Sequence, residues 1–165
     1  MPHGWAQAQL GHPDEGASLI RETLIAYRAN GSLAAVPMFL TWLAEAQALG
    51  GAPTESLRTL DEALAVNPDE RVWRPETLRV RGDIRRQQGE EELAEADFHA
   101  AIALAREMSA KALELRASMS LARLWRDQGG RAEARDLLAP VYEWFTEGFD
   151  TADLKDAKAL LEELA

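Results

Sequence analysis

Two rows of side chains recur at spacings of three to four residues between residues 79 and 126 of this 165-residue chain. That spacing places side chains on successive turns of one helix face. The first row consists of Arg79, Asp83 and Arg86, and the second of Arg116, Met119, Arg123 and Arg126. An arginine guanidinium is a planar fork of donors that pairs with a carboxylate or a phosphate. The two rows therefore predict a surface that binds an acidic group.

A purely structural role for these arginines stays open. Arg79 lies four residues before Asp83, and Arg123 lies four residues before Asp127. Each pair could form an ion pair on its own helix, which contributes roughly 0.3–0.5 kcal/mol at an exposed site. In that case the row is an ordinary solvated helix face.

Residues for catalysis are scarce by comparison. The chain has no cysteine and only three histidines, His3, His12 and His99. Neither the phosphate-binding pattern GxxxxGK[ST] nor the zinc-binding pattern HExxH occurs. Acidic clusters such as Glu90 to Glu92 are typical of a first helical turn, where negative charge is favourable. We therefore expect no enzyme activity, no catalytic residues, no metal site and no cofactor.

Charge and hydropathy exclude further classes. The net charge of −10 argues against nucleic-acid binding, because such binding depends on lysine and arginine neutralising phosphates. No apolar run approaches the roughly 18 residues that span a bilayer, and the first residues lack the order of a signal peptide. The sequence predicts a cytoplasmic protein without membrane contact. Its charge is uneven: residues 71–135 carry 13 Lys/Arg and 11 Asp/Glu, whereas the other 100 residues carry 5 and 17.

The elements that position these rows follow from an internal repeat. Glycines recur at separations of 40, 38 and 40 residues, at Gly11, Gly51, Gly89 and Gly129. Five positions after each glycine comes a small residue (Gly16, Ser56, Ala94, Ala134), and four positions later a large apolar one (Ile20, Leu60, Phe98, Leu138). Small residues opposite large ones allow two helices to approach and interlock.

Composition and periodicity indicate helix throughout, because Ala, Leu, Glu, Arg and Gln dominate and no segment shows sustained strand alternation. We predict nine helices, at about 2–10, 13–30, 34–49, 53–66, 74–88, 91–108, 110–128, 131–146 and 151–164. Four antiparallel pairs followed by a single helix make an all-α solenoid, in which each pair buries its apolar face against its neighbours.

Helix pairs of this kind resemble the tetratricopeptide repeat (TPR). The third pair carries the resemblance best, with Gly82, Gly89, Ala94, Phe98, Ala101 and Ile102, and the second adds Gly51, Leu60, Ala63, Leu64 and Pro68. The resemblance implies a right-handed α-solenoid of about four TPR-like pairs, at 1–31, 32–70, 71–109 and 110–148, with a capping helix at 150–165. The first helix is half the length of its equivalents, so we expect the chain to be a C-terminal piece of a longer protein.

In such a stack the first helix of each pair lines a concave groove. The register then places both rows in that groove, and the second pair adds Thr41 and Glu45. The predicted groove is mixed to basic at its C-terminal half on an acidic molecule. The implied function is a non-catalytic protein–protein interaction scaffold whose partner is a protein or peptide segment, acidic or ending in a carboxylate.

A second function follows from a narrower resemblance. Residues 121–164, which begin LARLWRDQGGRAEARDLL, are similar to the C-terminal repeats of bacterial cyclase-linked ATPases and large LuxR-type regulators. This resemblance implies an effector-sensing or self-association arm of a signalling protein, with upstream domains of the same chain as its partner. Nucleotide hydrolysis or cyclisation would then belong to those domains, and an uncapped first pair could also form a homodimer.

The tryptophans divide into three groups. We predict that Trp125, in a core position of the repeat, and Trp144, in the apolar run with Val141 and Phe145, pack in the core. Trp73 lies in the irregular link between the second and third pairs, and packing and partner contact are equally open for it. For Trp5 and Trp42 the pattern predicts no specific role.

Overall fold

The computed structural model describes residues 2–31 and 33–165. These residues form nine helices and no strand. The helices are α1 (Pro2–Gln9), α2 (Pro13–Ala29), α3 (Val36–Leu49), α4 (Pro53–Val66), α5 (Arg74–Gln87), α6 (Glu91–Glu107), α7 (Lys111–Asp127), α8 (Arg131–Glu143) and α9 (Ala152–Glu163). Each boundary lies within three residues of the predicted one.

The helices stack as antiparallel pairs in chain order. The pairs are α1 with α2, α3 with α4, α5 with α6, and α7 with α8. Within the described ranges, backbones of successive first helices (α1, α3, α5, α7) also approach one another, whereas those of successive second helices (α2, α4, α6, α8) do not. The first helices thus lie on the inside of the curve and the second helices on the outside. This arrangement confirms the predicted TPR-like right-handed α-solenoid.

The last helix continues the stack. α9 packs against both α7 and α8, just as α7 packs against α5 and α6. It therefore takes the place of a fifth first helix, and one of its faces lies beside the groove.

The repeating glycines end the first helix of each pair. Gly89 has φ of +78°, a left-handed conformation that glycine adopts without steric cost. Its amide donates to the carbonyl of Arg86 at 3.0 Å, and the next amide, of Glu90, donates to Arg85 at 2.9 Å. These bonds satisfy carbonyls at the end of α5 and turn the chain into α6.

The residues at the small and large positions of the repeat lie between paired helices, as predicted. All eight of these residues are buried. One close contact joins α5 to α6, because a Cβ on Gly82 would lie 2.5 Å from Cε1 of Phe98. The absence of a side chain at Gly82 is what allows the Phe98 ring to lie there.

A buried ion cluster also joins α4, α5 and α6, which we call the Asp97 cluster. The Asp97 carboxylate accepts two bonds from Arg81, at 2.6 and 3.0 Å, and one from Arg85 at 2.7 Å. Arg81 also donates to Asp61 on α4 at 2.7 Å. The side chain of Asp97 is only 5% exposed, so its charge depends on these two arginines.

One buried hydroxyl on α7 lacks a hydrogen-bond partner. Ser118 is fully buried, and its Oγ has no partner among the described residues. Because an unsatisfied buried hydroxyl is unfavourable, we expect Ser118→Ala to raise the free energy of unfolding by about 1 kcal/mol in urea denaturation followed by circular dichroism. The matched control is Ser120→Ala, which removes a 3.3 Å bond to Asp83 and should not stabilise the protein. Equal changes in both variants would contradict the prediction.

The prediction that Trp144 packs in the core is wrong. Trp144 is the residue that follows the last one of α8, and at this end of the helix it is 58% exposed, whereas Val141 one turn earlier is buried. It contacts Phe145 edge-on, with ring centroids 5.2 Å apart, and the Lys111 ammonium lies 5.7 Å from its ring. Trp125 does pack against the core, and its indole nitrogen donates to Glu95 at 2.9 Å.

Across the two described stretches, no helix is both long enough and apolar enough to cross a bilayer.

Candidate functional site

A groove runs along the concave face and contains a cavity of about 540 Å³. Its lining comes from α1, α3, α5, α7 and α9, together with the residue preceding α5. The apolar part of the lining consists of Trp5, Met38, Trp42, Trp73 and Met119. The polar part consists of Thr41, Glu45, Glu76, Arg79, Arg116, Ser120, Arg123, Asp153 and Asp156.

The structure brings six of the nine candidate residues together in this cavity. They are Thr41, Glu45, Arg79, Arg116, Met119 and Arg123. Asp83 lines an adjoining cavity of about 190 Å³ that shares Glu45 and Arg79 with the first. Arg86 lines a separate cavity with Asp127, and Arg126 lies at the end of the groove beside Glu163.

Arg79 is held by carboxylates of its own helix. Glu76 accepts two bonds from it, at 2.8 and 2.9 Å, and Asp83 accepts one at 2.5 Å. The i,i+4 pairing that the sequence left open for Arg79 is therefore present. With its donors engaged on both sides, Arg79 positions the neighbouring carboxylates and is poorly placed to bind a ligand itself.

Three other arginines of the two rows form ion pairs between neighbouring first helices. Arg86 donates to Asp127 at 3.0 Å. Arg116 donates to Asp153 at 2.7 Å, and Arg126 donates to Glu163 at 2.6 Å, so both connect α7 to α9. These pairs tie the first helices together along the groove.

Arg123 differs from the rest of the row. It is half-buried, and no carboxylate of residues 2–31 and 33–165 lies within 4.0 Å of its guanidinium. The i,i+4 pair with Asp127 does not form, because Arg86 and Arg126 take that carboxylate. Arg123 therefore lines the cavity without a direct ion pair, although its charge acts on Asp83 from a longer distance.

The groove, predicted to be mixed to basic at its C-terminal half, has a lining of mixed charge without a basic excess. The cavity is lined by three arginines and four acidic residues. Two of the acids, Asp153 and Asp156, come from α9, whose packing in line with the first helices the sequence pattern did not reveal. A third, Glu76, lies one turn before Arg79. The groove is thus mixed in charge with a small acidic excess.

The net pKa shifts of the groove carboxyls have different directions, although burial raises the pKa of each. Burial raises the pKa of Glu45, and neither the nearby Arg79 nor the 2.8 Å bond from the Trp5 indole nitrogen offsets it fully. Burial likewise raises the pKa of Asp83 despite Arg79. For Glu76 burial is again the largest influence, but the combined effect of Arg79 and Arg116 outweighs it, and the net pKa is below its usual value.

The sequence did not predict the tryptophans as groove residues. Trp5, Trp42 and Trp73 are half-buried side chains that line the cavity. For Trp5 the repeat register could have indicated this position. Trp5 lies six residues before Gly11, and three of the predicted groove residues lie six residues before the turn glycines of the later pairs: Glu45, Asp83 and Arg123. For Trp73, which the sequence left open, the structure shows that part of the ring surface faces the groove.

The groove has the features of a binding surface. In the part of the chain that the structure describes, no group of three or more His, Asp and Glu side chains could hold a metal ion. The cavity instead offers aromatic faces, one unpaired guanidinium and carboxylates. Such a lining can bind apolar and charged side chains of a partner.

Comparison with solved structures supports a TPR-like solenoid fold. Two crystal structures of the TPR-like repeats of a kinesin light chain-like protein from Podosopora anserina are similar over 98% of this chain and 81% of theirs. One, a point variant, has a TM-score of 0.73 at 16% identity, and the other has 0.70 at 17%. No protein-family model and no curated protein sequence matches this chain.

Proposed function

We propose that the protein is a non-catalytic scaffold that binds a peptide or protein segment in its concave groove. Extended concave surfaces are what stacked helical repeats generally use for binding. The groove here combines half-buried tryptophans and methionines with charged groups, a composition typical of the anchoring parts of protein interfaces. A cavity open along five helices suits an extended segment better than a compact small molecule.

The observation that carries the proposal is the unpaired guanidinium of Arg123. A half-buried cation without a carboxylate partner binds an incoming carboxylate strongly, because little further desolvation is needed. The bound segment therefore has an acidic side chain or a C-terminal carboxylate opposite Arg123. The arginines at positions 79, 116 and 126 are already paired, so they contribute less to binding than the sequence pattern predicts.

We expect Arg123→Glu to weaken binding of an acidic peptide at least about tenfold, since a hydrogen bond between charged groups contributes roughly 1.5–3 kcal/mol. Peptides are selected from a random library displayed on phage with the full chain as bait. The dissociation constant of the best one is then measured by fluorescence polarisation. The control is Arg58→Glu, the same charge change at an exposed residue of α4 outside the groove.

The experiment has three informative outcomes. Selected peptides rich in Asp and Glu that bind the Arg58→Glu protein normally and the Arg123→Glu protein poorly support the proposal. Equal losses in both variants would mean that only net charge matters. Failure to select any peptide would argue against the groove as a peptide-binding surface.

The alternative function, an effector-sensing or self-association arm of a signalling protein, stays a prediction from the resemblance of residues 121–164. Its partner would be another domain of the same chain or a second copy. The phage selection also tests this alternative function, because an arm that binds only a folded domain should select no peptide.

A further inference from the structure

The end of the groove formed by α1, α3 and the start of α5 has a different chemistry from the Arg123 end. Three tryptophans, Trp5, Trp42 and Trp73, line the same cavity there together with the Glu45 carboxylate. We call this part the tryptophan end. Two of its side chains contact each other directly, through the hydrogen bond from Trp5 to Glu45.

Two of the indole rings are held by side-chain contacts, the third tryptophan follows an ordered turn, and all three residues line the cavity. Trp5 is oriented by its 2.8 Å bond to Glu45 Oε2. Trp42 contacts the buried Phe39 edge-on, with centroids 5.7 Å apart. The backbone amide of Trp73 donates to the Glu70 carboxylate at 3.1 Å, which holds the turn before α5. A preorganised aromatic surface of this kind binds ligands with little loss of side-chain entropy.

Glu45 gives the tryptophan end a carboxylate without a direct ion pair, although Arg79 lies near enough to act on its charge. Within the described stretches, no lysine or arginine lies within 4.0 Å of its carboxylate, and its Oε1 accepts no hydrogen bond. By contrast, Glu76 and Asp83 are both bonded to Arg79. Glu45 is thus the acid of the central groove whose charge remains available to a ligand.

Tryptophan faces and a carboxylate attract the same kind of group. The face of an indole carries negative electrostatic potential and binds ammonium and guanidinium groups. A half-buried carboxylate beside such faces adds charge and a hydrogen-bond acceptor. The excess of acidic over basic residues in the lining favours a cation for the same reason. An anionic group would be repelled here.

We infer that the tryptophan end is a cation site that takes the arginine or lysine side chain of a bound polypeptide segment. The inference rests on the proposed function, since it assigns a second contact within the same groove. A segment is the occupant because the same cavity of about 540 Å³ continues from Trp5 on α1 to Arg123 on α7 and Asp156 on α9. Charge complementarity then requires a basic residue at one end of the segment and an acidic one at the other.

The test uses the full chain labelled with nitrogen-15 and follows the indole N–H signals by nuclear magnetic resonance. Each signal is assigned by substituting one tryptophan at a time with phenylalanine. The probe is the blocked pentapeptide Gly-Gly-Arg-Gly-Gly, and the matched probe replaces arginine by citrulline, which has the same shape but no charge. Trp125 and Trp144 lie outside the groove and serve as internal references.

We expect the arginine peptide to shift the signals of Trp5, Trp42 and Trp73 in a saturable way, with Trp125 and Trp144 unchanged. The citrulline peptide should bind about tenfold more weakly. Glu45→Gln, which keeps an oxygen acceptor for Trp5, should weaken the arginine peptide by a similar factor. The control Glu92→Gln, at an exposed residue of α6, should not change its affinity.

Three results would overturn the inference. One is equal affinity for the arginine and citrulline peptides, and this comparison stands on the wild-type protein even if Glu45→Gln fails to fold. Another is a shift of Trp125 or Trp144 alone. The last is binding of acetyl-arginine amide without binding of the pentapeptide, which would indicate a site for a small free cation.

The arginine pentapeptide contains no acid and does not require Arg123. Its binding should therefore persist in the Arg123→Glu protein. If acidic peptides fail to bind while the arginine peptide succeeds, the acidic-segment proposal fails and the cation site stands. If acidic peptides bind while the arginine peptide does not, the cation site fails and the acidic-segment proposal stands.

Discussion

Asp97→Ala is expected to lower the free energy of unfolding by about 3–5 kcal/mol. The substitution removes the carboxylate that pairs with both Arg81 and Arg85, two guanidinium groups that are largely buried. Arg81 keeps its exposed partner Asp61, but Arg85 loses its close one, and removing one partner from a buried ion cluster is strongly destabilising because the remaining charge is poorly hydrated. Urea denaturation followed by circular dichroism measures the change.

The control for this prediction lies in the same cluster. Asp61 also bonds to Arg81, but its side chain is 61% exposed. Asp61→Ala should therefore lower the free energy of unfolding by less than about 1 kcal/mol. If Asp61→Ala and Asp97→Ala lower the free energy of unfolding by similar amounts, burial does not determine how much the Asp97 cluster contributes to stability.

Phe98→Ala is expected to lower the free energy of unfolding by about 3–5 kcal/mol, the range observed when a fully buried aromatic ring is removed from a core. Phe98 is 0% exposed and fills the space beside Gly82 and Ala94, between α5 and α6. The same denaturation measurement applies. Leu93→Ala, at a half-exposed position of the same helix, should have a much smaller effect.

A double-mutant cycle tests the mechanism. Gly82→Ala alone should destabilise the protein, because the added Cβ would lie 2.5 Å from the Phe98 ring. In the Phe98→Ala background the same substitution should be close to neutral, since the obstructing ring is gone and alanine favours helix. Equal effects in both backgrounds would mean that the two residues do not compete for space.

The local sequence was sufficient to predict the fold. Turn glycines such as Gly89, and paired small and large residues such as Ala94 and Phe98, act within one helix pair. Their effects depend on neighbours within about twenty residues, so the spacing alone fixes the register. Helix periodicity is similarly local, which is why the predicted boundaries agree with the observed ones.

The charge of the groove could not be predicted in the same way. Whether Arg123 pairs with Asp127 depends on competition for that carboxylate from the adjacent Arg126 and from Arg86, which lies 41 residues away on the neighbouring first helix. The acidic contribution of α9 depends on how the last helix packs, and no repeat motif specifies that. The tryptophan end was missed because Trp5, Trp42 and Trp73 do not share one register position, so only the assembled stack brings them together.

The stacking pattern itself has a mechanical consequence. Among the described residues, no helix approaches another that is more than two places away in chain order. Nothing in those residues therefore braces the two ends against each other, and small rotations at each interface add up along the array. The ion pairs from Arg86, Arg116 and Arg126 cross these interfaces on the concave side and are weakened by salt. We therefore expect the stack of helices to become more flexible as ionic strength rises. The width of the groove should then fluctuate more at high salt.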